Sequence, residues 1–267
     1  MAASSKHYSN TPLLHYSAVL WPCRRAAVIA AALLAGSLLC APAAVARPFK
    51  IALDIGHTVR SPGADSASGV PEFRFNQRMV RLIAADLEAQ PGISVVVLNP
   101  NGAPISLPAR AVAADKARAD LFLSVHHDSA NARYLKPHKV GDRVFYQTTQ
   151  FQGYSVFFSQ RNPQHTRSLD FAIAIGAELR KEGLRPTAHH AEKIPGEGRD
   201  FIVPELGVYR YDELIVLWST KMPAVLLECG LIVNPIEEAQ LNEPEHQQKI
   251  VRAVRRAVLK MAKAALE

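Results

Sequence analysis

From Phe49 onward, short apolar runs alternate with stretches whose apolar residues recur every three or four positions. Residues 49–54, 93–98 and 121–125 are apolar runs of buried-strand length, β-branched or leucine-rich. Between the first two, Phe75, Met79, Leu82, Ile83 and Leu87 keep helical spacing until Gln90-Pro91-Gly92 closes the segment. The alternation continues with a strand at 154–158, a helix at 168–181, a strand at 224–228 and a terminal helix at 245–266. Such alternation predicts one α/β domain, a mostly parallel mixed sheet flanked by helices. Residues 131–152 and 187–207 keep neither period and read as long loops, which in a compact domain are often functional.

The first 46 residues break the pattern. They hold no acid, present Arg24 and Arg25, and then run apolar over residues 26–39, short of the roughly 18 to 20 residues a bilayer-spanning helix needs. Ala44-Val45-Ala46 supplies a small-x-small cleavage pattern, so residues 1–46 are expected to be a signal peptide and 47–267 the mature domain. Leu39 stands where a lipid-anchored protein would want a small residue before Cys40, which favours soluble export to the periplasm, without membrane insertion after cleavage. Cys229 is then the one cysteine of the mature chain, and stability must come from the core rather than a disulfide. Three of the 31 basic residues fall in the leader, leaving 28 against 24 acids, a mild excess that suits an anionic wall polymer. Export and the lack of a recognition motif argue against nucleic acid.

Three polar residues sit at strand ends or on the segments that follow: His57 after the first strand, Glu72 at the start of the first helix, and His126 after 121–125. Carboxyl ends of strands in an α/β sheet face a common crevice, where residues distant in sequence converge. Two imidazoles and a carboxylate are the ligand set of a catalytic zinc site with one position left for water. Glu228 directly follows five apolar residues, so its carboxylate is expected to be partly buried and in need of a partner. On these residues alone the bland readings stand: satisfied histidines, and a first-turn acid facing the helix dipole.

The motifs go further. Asp54-Ile55-Gly56-His57, Glu72 fifteen positions on, Ser124-Val125-His126-His127-Asp128, and the run from Met222 to Gly230 followed by Asn234-Pro235 resemble the zinc-dependent N-acetylmuramoyl-L-alanine amidases of the amidase-3 type. The resemblance spans about residues 49–262. It implies a zinc-hydrolase/phosphorylase-like fold, His57, Glu72 and His126 as zinc ligands, Glu228 as the catalytic acid/base, and peptidoglycan as substrate. A protein activator is a further expectation, and the expected state is a monomer. The chain departs from the family pattern in reading His127-Asp128 after the second histidine, where Ala or Asn is usual, and Leu231 after Gly230, where Phe is usual. The two long loops also stand where compact members have short connections.

Other residues invite two readings. Asp54 is either a carboxylate orienting a ligand imidazole or a strand-end acid capping the Gly56 turn. His127 should point away from its neighbour, because side chains alternate along a strand. His189-His190 with Glu192 could be a second metal site or a substrate contact, but a solvated loop tip is the favoured reading, as it is for His138 and His165. Cys229 reads as packing, and the basic residues of the terminal helix as a solvated face. Two rival functions are a zinc exopeptidase of related site chemistry and an inactive peptidoglycan-binding regulator; motif spacing disfavours the first, and four competent site residues the second.

Overall fold

Strand β1 (Phe49–Ile55) is fully buried over its last five residues because it runs between two parallel neighbours, β2 (Ile93–Leu98) and β3 (Leu121–Asp128). The computed structural model describes residues 47–267, so the expected signal peptide lies outside the described residues. β3 pairs in parallel with β9 (Ala224–Leu231), and β9 pairs antiparallel with β6 (Ser155–Phe158). β8 (Val208–Arg210) and β7 (Asp200–Val203) complete a seven-stranded sheet of order β2-β1-β3-β9-β6-β8-β7. The sheet is thus mixed and mostly parallel, as the alternation predicts.

Helices cover its two faces unequally. Helix α1 (Glu72–Glu88) buries Phe75, Met79, Ile83 and Leu87 against one face, each contributing about 1.5–3 kcal/mol by removal from water. α3 (His165–Lys181) and α6 (Pro244–Ala264) share that layer, where Ile250, Val254, Val258 and Met261 form the buried stripe of α6. Among the described residues, the other face carries α2 (Leu107–Lys116) and the single turn α4 (Ile215–Trp218) over a smaller core. A short α5 (Pro235–Asn242) starts at an Asn234 cap whose side chain accepts from the backbone N–H of Ile236 and Glu237.

Three expectations are corrected. Residues 131–152 are not a plain loop: they fold a two-stranded hairpin, β4 (Lys136–Val140) with β5 (Arg143–Gln147). Phe145 anchors it, its ring lying where a Cβ on Gly69 would come within 2.3 Å. Within 187–207 lies β7, added to the sheet edge by pairing with β8. The basic face of α6 is not simply solvated: Arg255 pairs with Asp86 of α1, Arg252 with Glu182, and Arg256 with Glu178 and Glu182. Among the described residues, no helix is long and apolar enough to cross a membrane.

Candidate active site

His57, Glu72 and His126 meet at the carboxyl ends of β1 and β3. Glu72 is the first residue of α1, and its two carboxylate oxygens divide between the imidazoles: Oε2 lies 2.9 Å from His57 Nε2 and Oε1 lies 3.0 Å from His126 Nδ1. The three side chains offer ligand atoms within 4.8 Å of one another. Tetrahedral zinc with bonds of roughly 2.0–2.1 Å holds its ligands roughly 3.3 Å apart, so the cluster is already near the spacing a metal needs. Exposure rises from Glu72 (6%) through His126 (17%) to His57 (32%), which opens the cluster to solvent on the His57 side.

Two glycines make room for it. A Cβ on Gly56 would come within 2.5–2.6 Å of the His126 ring, and one on Gly63, which has φ +83°, within 2.2 Å of Glu72 Oε2. Beyond these three side chains, Asn76 lies one turn along α1 from Glu72 and donates to Glu72 Oε1 (3.0 Å) and to the Gly56 carbonyl (3.2 Å). Its Oδ1 meets His127 Nδ1 at 2.8 Å. His127 does point to the opposite side from His126, against the Phe75 ring, yet it reaches the site through Asn76. Burial pushes its pKa down to about 3, so it stays neutral and donates from Nδ1. Burial alone would push the Glu72 carboxyl up, but hydrogen bonds and charge from His126 and His57 outweigh it and hold Glu72 below the usual carboxylate range.

Asp54 fits neither expected reading. Its oxygens accept from Arg110 Nη1 (2.6 Å) and Ser124 Oγ (2.7 Å), all three groups being buried. Arg110, on α2, also donates to the carbonyls of Ile55 and His57 at 2.6 Å each. His57 itself adopts φ +67°, a left-handed conformation uncommon for a non-glycine residue, and Arg110 holds the carbonyl at that corner. Sequence reasoning missed Arg110 and Asn76. The position of Asn76 four residues after Glu72 was a usable signal; nothing marks Arg110 as buried.

Glu228 stands in register with His126 across the β3–β9 pair, so both side chains leave the same face of the sheet. Its Oε2 is buried with no hydrogen-bond partner among the described residues. Burial, then the negative charges of Asp128 and Glu72, push its pKa well above the ordinary carboxylate value. Small cavities flank the cluster: one of about 180 Å³ is lined by His57, His126 and Arg110, and one of about 120 Å³ by Glu228, His190 and Tyr211. A larger cavity of about 500 Å³ lies away from this chemistry, among Gln152, Glu237 and His246. Cys229, adjacent to Glu228, is buried with its pKa raised by that burial, and is packing as expected.

His189 and His190 are corrected outright. His189 is buried and His190 partly buried, both beside Asp128 rather than on a solvated tip. His138 and His165 are exposed, as expected.

Comparison with known proteins fits this geometry. A "Probable N-acetylmuramoyl-L-alanine amidase AmiB" of Haemophilus influenzae is 25% identical over 223 residues, covering 77% of this chain and 50% of its own. A "Probable cell wall amidase LytH" of Staphylococcus epidermidis is 24% identical over 208 residues, covering 76% and 55%. This chain therefore spans about half the length of these two relatives. The fold is that of the crystal structure of the N-acetylmuramyl-L-alanine amidase Ami1 from Mycobacterium smegmatis, with TM-score 0.64, 20% identity, and coverage of 82% of this chain and 98% of that one. The Amidase_3 family model, described as N-acetylmuramoyl-L-alanine amidase, matches residues 51–260, and the chain belongs to that family.

Proposed function

We propose that the protein is a zinc amidase that hydrolyses the amide between the lactyl group of N-acetylmuramic acid and L-alanine of the peptidoglycan stem peptide. The observation that carries this reading is the placement of Glu228 in register with His126, its Oε2 buried without a partner beside a His–Glu–His cluster. The donor set and spacing of His57, Glu72 and His126 fit zinc, and the Gly56 and Gly63 cradle leaves their side chains the space to converge. When bound there, zinc supplies Lewis-acid polarisation of water and of the scissile carbonyl and offsets the charge of Glu72.

The chain's own residues do the rest. Glu228 is the general base, taking a proton from the attacking water and returning it to the departing alanine nitrogen. Its raised proton affinity suits the second task, since a carboxyl that holds its proton is a better donor to a leaving amine. Asn76 fixes the Glu72 carboxylate, and Arg110 fixes the backbone from which His57 projects. The names of the relatives, together with the leader read from the sequence, support action on the cell wall after export to the periplasm.

The test compares residues 47–267 with a Glu228→Ala variant for zinc content and for hydrolysis of a muramoyl-peptide. The reading expects zinc in both and a loss of turnover of roughly 10²–10⁴ in the variant. A variant that keeps its zinc and near wild-type turnover would remove Glu228 from the mechanism.

A further inference from the structure

Asp128, one of the positions where this chain departs from the family pattern, meets two histidines of the long segment at 187–207. Asp128 stands two positions past His126 on β3, and the segment at 187–207 brings His189 and His190 against it. His190 Nε2 lies 2.8 Å and His189 Nε2 lies 3.4 Å from the same oxygen, Asp128 Oδ2. The three ligand atoms lie within 4.8 Å of one another, the same convergence that the first cluster shows. We propose that Asp128, His189 and His190 form a second divalent-metal site, suited to zinc, beside Glu228 and separate from His57, Glu72 and His126.

The outer partners of the two histidines support this assignment. Metal-binding imidazoles as a rule give their second ring N–H to an outer acceptor, which fixes the tautomer and turns the free lone pair toward the ion. Here His190 Nδ1 meets Glu197 Oε2 at 3.0 Å and His189 Nδ1 meets Thr187 Oγ1 at 2.9 Å, leaving both Nε2 atoms directed at Asp128. A metal-free account, with His190 clamped between Asp128 and Glu197, satisfies His190 alone. His189 is only 2% exposed, and among the described residues its Nε2 has no hydrogen-bond partner. Leaving such a group orphaned costs about 1–3 kcal/mol, and a cation held between it and Asp128 would use its lone pair. Two nitrogens and a carboxylate oxygen are zinc donors, with a fourth position open. An ion can enter from the cavity of about 120 Å³ that His190 and Glu228 both line.

The test is metal stoichiometry, which needs no turnover. Residues 47–267 are equilibrated with excess zinc, freed of unbound metal, and assayed by mass spectrometry. Two zinc ions per chain are expected, with one in His57→Ala and one in Asp128→Asn. A conservative change in the outer partners, Glu197→Gln, should weaken the second ion alone by roughly 10–100-fold. One zinc in the wild type that disappears in His57→Ala overturns the second site and leaves the amidase reading intact. One zinc that survives in His57→Ala and is lost in Asp128→Asn supports the second site and removes the metal from the first. Because variants can misfold, wild-type crystals soaked in zinc give an independent readout at the zinc absorption edge. Anomalous peaks at both clusters are expected, and a single peak at His57 refutes the proposal.

Discussion

Arg110→Met should be among the most damaging single changes outside the His57–Glu72–His126 cluster. The Arg110 and Asp54 side chains are 3% and 2% exposed, so the ion pair is fully desolvated. Removing the guanidinium strands the Asp54 carboxylate with Ser124 as its remaining side-chain partner, and breaking a buried pair in this way costs about 3–5 kcal/mol. In a domain of this size each kcal/mol is worth roughly 2–4 °C in Tm, so the midpoint should fall by roughly 6–20 °C. The methionine fills most of the vacated volume, which keeps a cavity from dominating the result. Asp54→Asn combined with Arg110→Met should be milder than Arg110→Met alone, because no charge is left stranded. The same change releases the carbonyls of Ile55 and His57, so zinc affinity measured by chelator competition should fall with stability. Thermal and urea unfolding of the two single variants and the double variant form the assay. Arg110→Met within about 1 kcal/mol of wild type, with a double variant no better, would refute the reasoning.

Three further outcomes follow from the geometry. Gly56→Ala places a Cβ within 2.5–2.6 Å of the His126 ring, so it should cost about 1–3 kcal/mol and lower zinc affinity, read by unfolding and metal titration. Hydrogen bonds from Arg252 and Arg256 outweigh burial, which pushes the other way, and hold the Glu182 pKa down to about 2. Its folded pKa lies below the unfolded value of 4.5, so its stabilisation is present above pH 4.5 and is lost as pH falls toward 2; the gap between wild type and Glu182→Gln in acid unfolding should close over that window. Zinc at a hundred times its Kd should stabilise the chain by about 2.7 kcal/mol per site, and a Tm that ignores zinc would contradict a metal held by the folded state.

The site was legible where chemistry and position coincided. His57, Glu72 and His126 follow apolar strands or open a helix, and Glu228 ends a run whose burial alone demands an explanation. The hairpin at Lys136–Gln147 was illegible because most of its residues are exposed, so no two-residue burial pattern marks them. Helix α2 carries a readable start, a Ser106 cap that accepts from the Ala109 N–H with Pro108 following, but its alanine-rich face has little amphipathic contrast. Arg110 and His189 were lost for one physical reason. Charged and polar residues are mostly exposed, and their burial is decided by partners more than fifty residues away, Asp54 in one case and Asp128 in the other.

Product identity tests the central claim most directly. Purified peptidoglycan is digested with zinc-loaded residues 47–267, and the soluble products are resolved by mass spectrometry with N-terminal analysis. Stem peptides bearing a free N-terminal L-alanine, released from glycan strands that stay intact, are the predicted result. Release of C-terminal amino acids from otherwise attached stems would contradict it in favour of an exopeptidase, and no release from a chain that holds its zinc would contradict it in favour of a binding protein.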